Sequence, residues 1–423
     1  MDNNKIVFYE IKKIIKSPII LFLIIAFLIF DLFIVFSKFY VKDELKVLNN
    51  IIDEVGYKIN DDMMADFKVY YEKNLESFND VIYKKEGKTH SSVSEYLNSD
   101  NPGIYEDKYS EEEKNQIVNT SIIESYYLSI PELKKEYEKI DFIEMINPTI
   151  KSVRASNGGA ELIKDGLIKF DERFKTLIKN QEHMELSFNG KAYKMHSFLY
   201  REVLGAVVFQ IMILIALIVS FLVNYENENS TSLVVYSSRR GRNLILDKLK
   251  AITYTVVPIS TGLLAIVLTT YFSIYDYSRI FNTSINSFFN WETSFPYVGW
   301  FNLSVKEYFI LILIIIYISI FIFIGIAFVV ARFIKNSYVS FVVCCILNGI
   351  GFVLPSLAPT STKLFIYATL TPFTLIINLH ARFTQNSFTN FKYYELITIG
   401  IWVGIIACAI HYSIKSFKKC SIN

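Results

Sequence analysis

Long apolar runs recur along this chain, separated by short charged loops and by one long charged stretch. Pro18 to Ser37 is apolar for about 20 residues, the length a bilayer core demands of a helix. Val203–Val223, Ala251–Phe272, Val305–Val330, Tyr338–Leu354 and Leu396–Ser413 repeat the pattern, so six spans are expected, the third broken at Pro258 and Gly262. Ahead of the first span, residues 4–16 place Val7, Phe8, Ile11, Ile14 and Ile15 on one helical face, with Lys5, Lys12 and Lys16 mostly on the other. That is the pattern of a helix lying in a membrane interface. Lys363–His380 is also apolar, but it is short and interrupted by Pro372, with Pro355 and Pro359 just before it. Two spans there would carry the C-terminus to the outside, whereas Lys415, Lys418 and Lys419 hold it inside; a re-entrant pair of outer half-helices satisfies both.

Residues 38–200 break the apolar pattern. Helical periodicity is read at Asp43–Val55, Asp61–Tyr83, Glu111–Tyr127 and Glu132–Met145, the last started by Pro131 near its first turn. Gly158-Gly159 is expected to break the chain before a long helix over Glu161–Glu185. MELSFNGKAYKM then alternates apolar and polar around Asn189-Gly190, which predicts a β-hairpin. Asn98–Tyr105 reads as a loop. A second polar stretch, Ser273–Ser304, carries Phe288, Phe289, Trp291, Phe295, Tyr297, Trp300 and Phe301, a density that suits an aromatic belt at headgroup level.

Charge sharpens this division. Residues 38–200 hold 23 Lys+Arg against 30 Asp+Glu, a net −7, while the remainder holds 20 against 11, a net +9. The basic excess sits in short loops beside the spans, so it reports topology rather than nucleic-acid binding. Both termini are therefore expected in the cytoplasm and residues 38–200 outside. Cys344, Cys345 and Cys408 fall in spans and Cys420 in the tail, so no disulfide framework holds the outer region. Gly87-Lys88-Thr89 ends like a phosphate-binding loop, but Ile82 stands where that motif needs its first Gly, so it is read as a surface turn. His90, His183, His196, His380 and His411 show no metal spacing, and no catalytic residue is assigned. Asp31 is the one prominent ionisable residue within a span, a candidate intramembrane polar site that either faces the protein interior or snorkels to the headgroups. If the chain moves a cargo, the energy comes from another chain.

The loop Phe221–Lys250, FLVNYENENSTSLVVYSSRRGRNLILDKLK, is short and rich in Arg and Lys, so it is assigned to the cytoplasm. Ser230 to Tyr236 reads as a small helix, capped by Ser230, Thr231 or Ser232 and followed by Leu233, Val234 and Tyr236. An acid closing the second span (Glu226 or Glu228), a small-residue turn (Ser230-Thr231), an apolar pair (Leu233-Val234) and a Ser step (Ser237-Ser238) follow one another. An Arg (Arg239 or Arg240) and a Lys opening the third span (Lys248) complete the order. This order resembles the type-2 permeases of ATP-binding-cassette (ABC) exporters, which usually carry Gly before the Thr and Pro before the Ser-Arg, where this chain has Ser230 and Ser238. Glu10, Lys12-Lys13 and Ser17-Pro18 resemble the elbow helix of the same family, and the re-entrant segment resembles its last outer loop.

The resemblance covers residues 1–37 and 200–423 and not the outer domain. It implies a coupling helix (226–240) seated on a separate ABC ATPase dimer, which would bind ATP and Mg; this chain is expected to bind no cofactor itself. It implies a second permease subunit, identical or not, in the lipid bilayer of a plasma membrane. The Ile, Lys, Asn and Tyr usage is consistent with a Gram-positive bacterium. The cargo expected is hydrophobic or amphipathic, a lipid or an antimicrobial peptide; the alternative is an ABC-type sensor or mechanical transmitter acting through the outer domain. The expected fold is an all-α polytopic membrane protein with six transmembrane helices and a mainly helical extracellular domain carrying a small β-hairpin. Its units are residues 1–37 (elbow and first span), 38–200 (extracellular domain) and 201–423 (five spans, the coupling helix, and a re-entrant segment at 359–392).

Overall fold

A computed structural model describes residues 3–99, 108–238, 240–291, 295–385 and 391–419. Helix α1 (Asn3–Ile15) turns at Ser17 into α2 (Pro18–Phe36), where Pro18 stands in the first turn and has no N–H to leave unpaired. Four more helices, α3 (Lys42–Val55), α4 (Asp61–Glu86), α5 (Val93–Leu97) and α6 (Glu111–Glu138), begin the polar domain. It continues with α7 (Ile146–Ser152) and α8 (Asn157–Lys179). The short α9 (Met195–Ser197) runs through a π-helical turn, Phe198–Val203, into α10 (Leu204–Glu228). After α11 (Ser232–Ser237) come α12 (Leu244–Ile274), α13 (Val305–Phe333) and α14 (Ser337–Leu357). The short α15 (Leu364–Tyr367) and α16 (Pro372–Ile376) precede α17 (Tyr394–Lys419).

Six helices are long and apolar enough to cross a membrane: Pro18–Phe36, Met195–Glu228, Gly241–Ile274, Val305–Phe333, Ser337–Leu357 and Tyr394–Lys419. The second is the hub. Most of its surface is buried, against α2, α12, α13 and α14, while α2, α14 and α17 are largely exposed. Pro258 does not break the third span, which runs as one helix through it. Nor does Pro131 start a helix: α6 continues through it, with Ile130, Leu133 and Tyr137 buried around it. That burial offsets the ~3 kcal/mol a helix-interior proline costs. Gly158 and Gly159 lie in the first turn of α8 rather than in a break. Gly87 caps α4 in the left-handed region, consistent with a surface turn at Gly87-Lys88-Thr89. Of the Asn98–Tyr105 loop only Asn98 and Ser99 fall among the described residues.

The hairpin does not form, and no sheet occurs among the described residues. Residues 184–189 are extended, with Leu186 and Phe188 buried as the alternation requires. Their backbone partners lie elsewhere. Ile59 N donates to Met184 O at 3.0 Å, Leu186 N to Tyr57 O at 2.6 Å, and Gly190 N to Phe289 O at 3.0 Å. Gly190 is needed for contact, not for a turn, because a Cβ there would stand 2.5 Å from Trp291 N. The second arm instead turns at Asn189 and enters α9.

The Ser273–Ser304 stretch is part of the domain core, not a belt. Phe288, Phe289, Trp291, Tyr297 and Trp300 are all buried. Trp300 packs edge-on to Phe170 at 4.7 Å, and Phe289 on Tyr126 at 5.5 Å. Arg173 donates to Trp300 O at 2.9 Å and forks onto Glu182 at 3.0 and 2.5 Å. Segment 359–385 is fastened at the same end. Trp300 N donates to Phe383 O at 2.8 Å and Tyr297 Oη to Arg382 O at 2.7 Å. Thr360 Oγ1 donates to Arg154 O at 2.9 Å, and Lys363 pairs with Glu161 at 3.1 Å. Gly159 permits this approach, since a Cβ there would meet Thr360 O at 2.1 Å. From the bundle, Tyr308 Oη donates to Leu379 O at 2.6 Å, and His196 Nε2 bonds His380 O at 2.8 Å. Helices of four and five residues are too short to span, so this segment caps the bundle at the domain end.

Candidate functional site

The end of the bundle opposite the domain carries α1, α11 and the starts of α12 and α14. The chain leaves α10 through a Schellman turn. Thr231 N donates to Glu226 O at 2.9 Å and Ser230 N to Asn227 O at 3.3 Å, while Ser230 sits at φ +56°, in the left-handed region that favours glycine. Thr231 precedes α11, but its hydroxyl turns back to Glu226 O at 3.5 Å and does not cap the helix.

Helix α11 is a single polar-flanked turn and a half with two faces. Leu233 is 58% and Val234 76% exposed, both apolar and pointing away from the chain. Tyr236 points inward, edge-on to Phe417 of α17 at 5.2 Å. Burial, with Glu226 nearby, pushes the Tyr236 hydroxyl above its ordinary pKa. The helix is held from behind by backbone contact. Gly241 N donates to Ser238 O at 2.9 Å, and a Cβ on Gly241 would lie 2.3 Å from Val235 O.

Beneath α11 lies a buried ionic network. Glu226 accepts from Lys13 at 2.8 Å and from Lys248, whose ammonium also donates to Leu222 O at 2.5 Å and Val223 O at 3.2 Å. Lys13 reaches Glu10 at 2.7 Å and stands 4.3 Å from the Tyr225 ring centroid. Glu10, Glu226 and Lys248 are all buried. Burial pushes the Glu10 carboxyl up in pKa even though Lys248 and Lys13 oppose it. Burial alone would lower Lys13, but the hydrogen bonds it donates to Glu10 and Glu226 reverse that and hold its ammonium above the ordinary value. Two carboxylates and two ammoniums thus tie α1, α10 and α12 together.

The other sequence-named residues divide around this network. Glu228 is exposed and accepts from Ser337 N at 2.8 Å, tying α10 to the start of α14, so Glu226 is the acid of the network. Arg240 makes two bonds to Asp247, both 3.0 Å. Lys12 is exposed, Ser230 and Thr231 shape the turn, and Arg239 lies outside the described residues. Asp31 belongs elsewhere, in the half of α2 nearer the domain. It does not snorkel: it is 1% exposed, beside Gln210, and neither carboxylate oxygen has a hydrogen-bond partner. Sequence reasoning missed Gly241, Asp247, Tyr225 and Phe417. Asp247 and Gly241 stood in the same loop, but nothing local told which cation or backbone they met.

The arrangement can present a small apolar knob on a stiff base. It contains no nucleophile–base pair and no phosphate cradle among the described residues. No known protein family, curated protein or solved structure matches the chain.

Proposed function

We propose that the chain is the membrane subunit of an ABC exporter, driven through α11 by a separate ATPase and moving a hydrophobic or amphipathic cargo outward, with a second permease subunit beside it. The observation that carries this reading is the exposed Leu233–Val234 pair, set on a short helix that is backed by Gly241 and, through Tyr236, by Phe417, next to the ionic network. An apolar knob on a rigid base suits the receipt of a push, because motion there reaches α1, α10 and α12 together. On this reading the basic end of the bundle is cytoplasmic and residues 38–200 are extracellular, in a plasma membrane. The test replaces Leu233 and Val234 with Asp and measures ATPase stimulation by cargo in the reconstituted complex. Loss of stimulation with the chain still folded supports the reading; unchanged stimulation defeats it.

A second reading, a sensor or mechanical transmitter, is favoured by the clasp between α8 and residues 360–365. A domain bolted to the segment that caps the bundle would pass its movements to α14 and α17. Gly159→Ala pushes a methyl into Thr360 O and loosens that clasp. Efflux intact in this variant, with signalling lost, would favour the transmitter; efflux lost with it would favour an export path that uses the domain.

A further inference from the structure

At the domain end of the second span, Arg201 of the π-helical turn and Gly205, Val208 and Phe209 of α10 line one side of the chain together. They form one wall of a cavity of about 300 Å³ whose other walls are Phe352 of α14 and Ile376–Asn378. That volume is at the lower end of the ~300–1,000 Å³ range of small-ligand sites. The walls are apolar. Val208 and Ile376 are buried, while Phe209 (54%) and Ile377 (44%) stand exposed at the side. The cavity therefore opens sideways, on the surface that faces bilayer, and not toward the bundle interior.

Arg201 closes one end, just outside the apolar run that starts at Val203. That is headgroup height for the second span. Its guanidinium is exposed and makes no ion pair among the described residues; the adjacent Glu202 is taken by Lys38 at 2.7 Å. Arg382 is a second cation at this end, and after burial the charges of Arg201 and Arg382 push His380 down to about 4. Gly205 forms the floor, and a Cβ there would have only Tyr200 O within reach, at 4.0 Å.

We propose that this groove is a site for one anionic phospholipid of the surrounding bilayer, its phosphate on Arg201 and one acyl chain along Val208, Phe209, Phe352 and Ile376. A guanidinium at headgroup height selects the phosphate, and an apolar slot running away from it selects a chain attached to that phosphate. The site is independent of whether an ATPase drives the protein.

The experiment is native mass spectrometry of the full chain, purified in a non-ionic detergent and titrated with phosphatidylglycerol or phosphatidylcholine. The wild type is expected to retain one phosphatidylglycerol about fivefold more tightly than phosphatidylcholine, the worth of one cationic contact at a membrane surface. Arg201→Gln should erase that preference, Arg201→Lys should keep most of it, and Gly205→Leu, which fills the floor, should abolish retention of both lipids. Equal retention of the two lipids by the wild type, or unchanged retention in Gly205→Leu, overturns the proposal. Displacement of the lipid by glycerol phosphate without acyl chains also overturns it, because the site would then be one for a free anion. If Arg201→Gln fails to fold, the Arg201→Lys and Gly205→Leu pair decides.

Discussion

Removing Glu226 should cost more than removing Lys248, although the two are partners. In Glu226→Met the buried Lys248 ammonium keeps only Leu222 O and Val223 O as acceptors, and Lys13 still stands nearby on Glu10. The network then carries a net positive charge out of water, which costs about 3–4 kcal/mol. In Lys248→Met, Glu226 retains Lys13 at 2.8 Å, so the loss is nearer ~2 kcal/mol. With both residues changed to Met no unpaired charge remains, since Lys13 and Glu10 still pair at 2.7 Å, and the double variant should lie within about 1 kcal/mol of wild type. The single losses therefore overshoot the double by several kcal/mol, well beyond the ~0.5 kcal/mol expected of independent sites. Unfolding of the detergent-solubilised full chain by a denaturing detergent reads all four corners of the cycle. Additive losses, or a larger loss for Lys248→Met than for Glu226→Met, would refute the assignment of Glu226 as the centre of the network.

Ser230→Gly should stabilise the chain by about 0.5–1 kcal/mol, because Ser230 holds φ +56° in the Schellman turn and glycine removes that strain; a lowered unfolding midpoint would contradict it. Burial raises Glu44 of α3 to about 8, with Tyr126 donating to it at 2.9 Å. A raised folded value means its stabilising proton is fully kept below the ordinary carboxylate pKa of 4.5 and lost as pH climbs through 8. Stability should therefore fall by roughly 1–2 kcal/mol between pH 7 and 9, and Glu44→Gln should flatten that slope; a slope unchanged in the variant counts against the assignment. A Cys placed at Asn378 should be labelled only from the side that bears the polar domain, and labelling from the other side alone would show that segment 363–380 crosses.

Much of this fold was legible in the apolar runs, because a span is specified by length and hydropathy with little tertiary help. The helices nevertheless extend past the runs. Met195–Glu228 and Leu244–Ile274 take in polar residues beyond the apolar runs, among them His196, Asn224, Glu226, Asp247 and Lys248, all of which are buried. The failures were long-range. The alternation of Leu186 and Phe188 was a true signal of an extended, half-buried segment, but its partners, Tyr57–Ile59 and Phe288–Phe289, are distant in sequence. An aromatic-rich loop reads the same whether it lies in headgroups or in a core, and only its packing on the domain, Trp300 on Phe170 and Phe289 on Tyr126, decides it. At the candidate site the charged residues were visible in the loop and in the elbow helix. Which acid entered the network was not, since Glu226 and Glu228 differ by half a helical turn and only Glu226 faces Lys13 and Lys248.

On the proposed reading, α11 is a seat for an ATP-hydrolysing partner. The direct measurement places a photo-crosslinking residue at Val234, 76% exposed, in the chain expressed in its native host, and identifies what it captures. An ATPase captured at Val234 and not from a control position on the exposed face of α17, such as Leu396, is the result expected. Val234 capturing only lipid, or no ATPase at all while the chain remains active, would contradict the account.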